Sequence, residues 1–208
     1  QPPAELERHE RAFAAAEMDH ALGGLWASVD CFWMSRPSAI RQAEWKGEQL
    51  QRAGHFGFDV PRTLITTDPE AVRGFFDDCG GSIVFKTLSG PAALAGLVPS
   101  DTEPTRAQTV SMLTRMVHRD ELDQLDAVRT APCIFQEYVD KDVELRVTVI
   151  GDELFTAAIH SQEDPRTKVD FRRFDVDIPY RKFRLPAEVE QRCVEFVHSY
   201  GLTYSALD

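Results

Sequence analysis

The sequence predicts an α+β fold. Helical runs occupy the first quarter of the chain, short strand-like runs then alternate with helix starts, and two alternating segments meet at Gly151-Asp152 as a β-hairpin.

Each element follows from local chemistry. The opening stretch carries Leu6, Phe13 and Met18 among Ala and Glu and reads as a helix ended by Gly23-Gly24. Pro37 opens a second helix, with Ser35 as a candidate cap, that runs to about Ala53 and exits at Gly54 and Gly57. Arg62 to Thr66 is a short strand. Asp68 then caps a helix whose first residue is Pro69 and which ends at Gly80-Gly81. Ser82 to Lys86 is a second strand. A loop rich in Gly, Pro and Ser follows, and Ala92 to Val98 within it is a further candidate strand. Residues 106–117 fit strand or helix equally. His118 to Val128 reads as a short helix and Cys133 to Val139 as an apolar strand.

In the hairpin, Leu145, Val147 and Val149 face one way, and Glu144, Arg146 and Thr148 the other. A polar stretch, Gln162 to Asp177, leads to a last helix opened by Pro186, with Val189, Cys193 and Phe196 on one face and Gly201 at its end. Thr203 to Leu207 is strand-like.

Composition narrows the function classes. The 208 residues are 43% hydrophobic and 27% charged, the range of a globular chain with one sizeable core or two small lobes. A net charge of −11 argues against nucleic acid as the main partner, because such binding needs Lys and Arg against phosphates. No apolar run approaches the length of a membrane span, and the N-terminus is not a signal peptide. Cys31, Cys79, Cys133 and Cys193 form no C-x-x-C pair, which reads as reduced thiols in a cytoplasmic protein. The six histidines are not spaced as zinc ligands.

The residues suited to chemistry are individually ordinary. Lys86 ends an apolar strand and precedes Thr87-Leu88-Ser89-Gly90-Pro91, where a lysine and loop amides can meet phosphates; strand-end lysines are also common, and no Walker A motif occurs. Lys46 sits beside Trp45 in a helix and, taken alone, reads as a solvated helix lysine. Gln136, Glu137, Tyr138 and Val139 end a strand whose backbone can pair with an adenine edge. Glu144 follows and can accept ribose hydroxyl protons, although a plain polar face with a Glu144–Arg146 pair explains it as well. Asp170-Phe171-Arg172 lies in the densest basic region of an acidic chain, with Arg166, Lys168, Arg173, Arg181, Lys182 and Arg184. Asp208 ends an apolar strand, a position suited to a magnesium ligand.

Their order is more telling than any one of them. Lys46, Lys86, Gln136-Glu137, Glu144, Arg146, Arg172 and Asp208 resemble the nucleotide site of the ATP-grasp superfamily. The stretch IFQEYVDKDVELRVTVIGDELFTAAIHSQ is similar to the ribosomal-protein glutamate ligases. Closer still is the resemblance to the microviridin (graspetide) type of peptide maturase, through WMSRPSAIRQAEWKGEQLQRAGHFGFDVPRTLITTDPEAV, APCIFQEYV, DFRRF and GLTYSALD. It extends from about Trp26 onward.

This resemblance implies two α+β lobes gripping ATP, with residues 1–56 belonging to a preceding domain and its linking helices, 57–138 to the central lobe and 139–208 to the C-terminal lobe. It implies that Lys46 and Lys86 contact phosphates, Gln136 to Val139 form the adenine hinge, Glu144 binds ribose, Arg146 and Arg172 face phosphate or an acceptor carboxylate, and Asp208 binds Mg²⁺. The family pattern begins upstream of Gln1 and continues past Asp208 with a Glu-x-Asn strand, so the sequence reads as truncated at both ends. The activity implied is ATP-dependent crosslinking of a precursor peptide, leader plus core, in the cytoplasm, by a possible homodimer. The alternatives are a ligase that adds an amino acid to a protein or small molecule, and a non-catalytic peptide- or nucleotide-binding module.

Overall fold

The computed structural model describes residues 6–89, 113–172 and 175–208. The expected strand at Ala92 to Val98, residues 106–112, and Arg173 and Phe174 of the DFRRF motif lie outside them.

Three helices lead: α1 (Arg8–Ser28), α2 (Pro37–Ala43) and α3 (Lys46–His55). Helix α1 does not stop at Gly23-Gly24. Neither glycine takes the positive φ that would turn the chain, and a helical glycine costs only about 1 kcal/mol relative to alanine. The expected single helix from Pro37 to Ala53 is two. The side-chain amide of Gln49 caps the Ala43 carbonyl, and Trp45 turns to extended backbone (φ −77°, ψ 98°), which makes Lys46 the first residue of α3. Ser35 is not the cap of α2. Its hydroxyl instead accepts from the amides of Thr203 (3.1 Å) and Tyr204 (3.4 Å), tying this segment to the end of the chain.

The first lobe is an antiparallel sheet in the order β1 (Thr63–Thr66), β4 (Cys133–Glu137), β2 (Ile83–Lys86), β3 (Arg115–Met116). Helix α4 (Pro69–Asp78) packs on it. Asp68 caps this helix by accepting from the Glu70 amide at 3.0 Å, and Gly80 and Gly81 take the positive φ that ends it. The segment expected as a short helix at His118 is 3₁₀, Arg119–Thr130, in two pieces that meet at a kink at Gln124, and its Leu122, Leu125 and Val128 join Val72, Phe76, Ile83 and Phe135 in one core.

The second lobe is an antiparallel sheet in the order β7 (Tyr180–Phe183), β6 (Glu153–Ile159), β5 (Glu144–Ile150), β8 (Tyr204–Leu207). Gly151, at φ 59°, turns the β5–β6 hairpin. Val147 and Val149 face helix α5 (Ala187–His198) and pack with Cys193, Phe196 and Val197, joined by Ala39, Ala43, Ala53 and Phe56 of the leading helices. Strand β7 has no counterpart in the sequence reading. All four of its residues are exposed, so no apolar alternation announces it.

Candidate functional site

Both lobes contribute to one cleft of about 490 Å³, a volume typical of small-molecule sites. Lys86 reaches it from the end of β2 and Lys46 from the start of α3. Lys141 and Glu144 enter from the turn into β5, Asp170 and Arg172 from the loop before β7, and Asp208 from the end of β8.

Lys46 donates to the Leu88 carbonyl at 2.8 Å. Lys86 donates to Oε1 of Gln136 at 2.6 Å, and Gln136 in turn donates to the Thr63 hydroxyl at 3.0 Å. Gln136 is buried, 5% exposed, and serves as the bracket that aims Lys86. Glu137, Tyr138 and Val139, expected to form an adenine hinge with Gln136, are not among the residues that line the cleft. The amide of Glu137 donates to the Arg62 carbonyl at 2.9 Å and that of Tyr138 to the Ser82 carbonyl at 3.0 Å; Val139 is exposed.

Cations crowd the cleft. Burial lowers the pKa of Lys86, and Lys141, Arg172 and Lys46 lower it further, with Asp170 pulling the other way. Burial also lowers Lys46, and Arg172 adds to it against Glu44. Among the described residues, four cations and three carboxylates, Glu144, Asp170 and Asp208, thus line the cleft.

Two carboxylates are already committed. Asp170, 6% exposed, accepts from the Thr114 amide (2.8 Å), from the Arg172 amide (3.0 Å) and from the Arg172 guanidinium (2.8 and 2.5 Å). Burial pushes Asp170 up, but these donors outweigh it and hold its carboxyl below the ordinary range. Arg146, just beside the cleft, pairs with both oxygens of Asp208, its Nη2 donating to Oδ2 at 2.9 Å, and lies over the Phe171 ring at 5.5 Å. Glu144 is different. It pairs with Lys141, yet its Oε2 is buried and has no hydrogen-bond partner among the described residues. An orphaned buried carboxylate oxygen is costly, and a ligand hydroxyl would satisfy it.

The structure thus brings Lys46, Lys86, Glu144, Arg172 and Asp208 to one cavity, with Arg146 at its rim. The sequence reading did not single out Lys141 or Thr114, and it named Asp170 only as part of the Asp170-Phe171-Arg172 motif, with no role of its own. Only the chain crossing between lobes reveals them; a lone lysine between two aspartates carries no local signal.

Two α+β lobes closing on a cation-lined cleft define an ATP-grasp fold, and solved structures of that fold match nearly the whole chain. Within this class the chain is similar to peptide macrocyclases. It is 28% identical to macrocyclase MdnC from Microcystis aeruginosa MRC, solved with precursor peptide MdnA (TM-score 0.77; 99% of this chain, 60% of that one). It is also 28% identical to a RiPP-associated ATP-grasp ligase from Chryseobacterium gregarium, solved with ADP and a leader and core peptide (TM-score 0.80; 97% and 58%). To macrocyclase MdnB of M. aeruginosa MRC the identity is 25% (TM-score 0.72; 99% and 60%). The chain therefore spans 58 to 60% of the length of these proteins. No family model and no curated protein matches it.

Proposed function

We propose that this chain is the nucleotide-binding part of a cytoplasmic ATP-dependent carboxylate ligase that crosslinks side chains of a ribosomally made precursor peptide. One observation carries the reading: mutually repelling Lys46, Lys86, Lys141 and Arg172 share a cleft with the unpartnered buried oxygen of Glu144. Cations beside a hydroxyl acceptor are what a nucleotide's phosphates and ribose require. The similarity to enzymes solved with ADP and with precursor peptides supports it.

In this reading Lys46 and Lys86, the latter aimed by Gln136, bind the phosphates, and Glu144 accepts from the ribose hydroxyls. The lobes divide near residue 138, and residues 1–56 belong to the preceding domain. Among the described residues no three His, Cys, Asp or Glu side chains form an all-protein metal cage. A magnesium ion held by one carboxylate, Asp208, and by phosphate oxygens fits this donor set, since Mg²⁺ usually binds through one or two carboxylates plus substrate phosphates. Bound there, it would neutralise charge between the β- and γ-phosphates.

The acceptor carboxylate, an Asp or Glu of the precursor, attacks the γ-phosphorus, and ADP leaves with the pair of electrons from the broken P–O bond. A Ser or Thr hydroxyl or a Lys amine then attacks the acyl carbon. Phosphate departs, the nucleophile's proton passes to it, and an ester or amide remains. Lys86 and Lys46 offset the charge on the transferring group, and Arg172 orients the incoming carboxylate.

The test is mass spectrometry of the intact enzyme with ATP, Mg²⁺ and a peptide encoded beside its gene. The peptide loses one water per crosslink. A gain in mass instead identifies the amino-acid-adding ligase, and no ATP-dependent change sinks both.

A further inference from the structure

We infer that Lys182, on strand β7, forms with Arg146 a subsite for an acidic side chain of the peptide acceptor; this rests on the ligase reading above. The strand register sets the geometry. Lys182 pairs with Ala157 across β7–β6, and Ala157 pairs with Arg146 across β6–β5. Paired residues share a face, so one row crosses the sheet from Lys182 over Ala157 to Arg146, beside Asp208 and the cleft. Neighbouring strands lie ~4.8 Å apart, which puts the two cationic residues roughly 10 Å apart at the backbone, close enough for both side chains to grip one carboxylate between them.

The middle of the row is low and its borders are high. Ala157 offers only a methyl group, whereas Phe155 on the next row is 59% exposed, and Tyr180, on the row of Glu144 and Ile159, is 58% exposed. The result is a trough floored by Ala157 and walled by two aromatic rings, with Lys182 at its outer end and, at its inner end by the cleft, Arg146, which keeps Nη1 for a ligand while Nε and Nη2 hold Asp208. Among the described residues the side chain of Lys182 makes no hydrogen bond or ion pair, and it is solvent-exposed in an acidic chain. An acceptor peptide that presents several carboxylates, one at the γ-phosphate and the next a few residues away, is the complementary ligand. A lysine on an edge strand also discourages strand-to-strand aggregation, but that role predicts no discrimination among peptides.

The experiment uses the intact protein with Mg·ADP, a blocked tetraglutamate peptide and its tetraglutamine counterpart, followed by calorimetry. Lys182→Ala should weaken tetraglutamate binding roughly 10-fold, the value of one charge-assisted contact, and Lys182→Arg should restore it. Tetraglutamine affinity and Mg·ADP affinity should not move. Equal tetraglutamate affinity in Lys182→Ala and the wild type overturns the subsite. So does an equal loss in Arg129→Ala, a distant surface cation, since the effect would then be one of bulk charge. Failure of Mg·ADP to bind while the Lys182-dependent peptide preference persists overturns the ligase reading instead and leaves the subsite standing.

Discussion

The guanidinium of Arg146 holds both carboxylate oxygens of Asp208, joining the middle of β5 to the end of β8 at the rim of the cleft. The carboxylate proposed as the metal ligand is thus occupied by a cation, and metal binding there would exchange one positive partner for another. Titration of ADP with and without Mg²⁺ should therefore show a metal-dependent gain in affinity in the wild type. In Asp208→Asn that gain should vanish, with the affinity in Mg²⁺ falling to the value measured in EDTA. An unchanged metal effect in Asp208→Asn would place the ion elsewhere.

Phosphate and ribose contacts separate with the choice of ligand. Lys86→Ala removes a half-buried charge aimed by Gln136 and should weaken both ADP and inorganic tripolyphosphate by about 100-fold, or ~3 kcal/mol. Glu144→Ala should weaken ADP by roughly 10-fold without weakening tripolyphosphate, because only the nucleoside carries hydroxyls for the orphaned oxygen and the change frees Lys141 for phosphate. Calorimetric titration of each ligand against each variant checks both.

Acid stability should report Asp170. Its folded pKa lies below its unfolded value, so its stabilising contribution is present above the unfolded carboxyl pKa of about 3.9 and is lost as pH falls through the folded value. Asp170→Asn should therefore be less stable than the wild type at neutral pH, by about 2 kcal/mol because Arg172 is 44% exposed, and the gap should close below about pH 4. Urea unfolding across that range measures it.

The helix carrying Lys46 is pinned at its next turn. The Tyr200 hydroxyl donates to Oε2 of Glu48 at 2.5 Å, and the Arg52 guanidinium lies 3.9 Å over the Tyr200 ring. Burial and then the Glu48 bond raise the Tyr200 pKa, so it stays a donor through the working range. Tyr200→Phe should lower stability by about 1–2 kcal/mol and weaken ADP only slightly, since α3 retains its apolar packing on α5. A melting curve read beside an ADP titration separates the two effects.

Much of the fold was legible where a residue's own chemistry is decisive. Asp68-Pro69 starts a helix by capping and by fixed φ, Gly80-Gly81 ends it, and Gly151 turns a hairpin whose faces alternate. The misreadings arose where a distant group decided. The Gln49 amide ended α2 by taking the Ala43 carbonyl, Ser35 bonded to the far end of the chain, and β7 formed against β6 from exposed residues that carry no pattern. At the site, Lys46, Lys86, Glu144, Arg172 and Asp208 could be picked out because the order of such residues along the chain is informative even when each is ordinary.

By itself the sequence determined the kinds of element, their order, and which charged side chains stand at strand and helix ends, because capping, turns and alternation act over a few residues. Only the tertiary structure decided that Lys141 and Asp170 join the cleft, that Gln136 points at Lys86 rather than into the cavity, and that Asp208 is held by Arg146. Electrostatic and hydrogen-bond partners are chosen by distance in space. Strand pairing and lobe closure set those distances between residues far apart in the chain, and no local spacing encodes them.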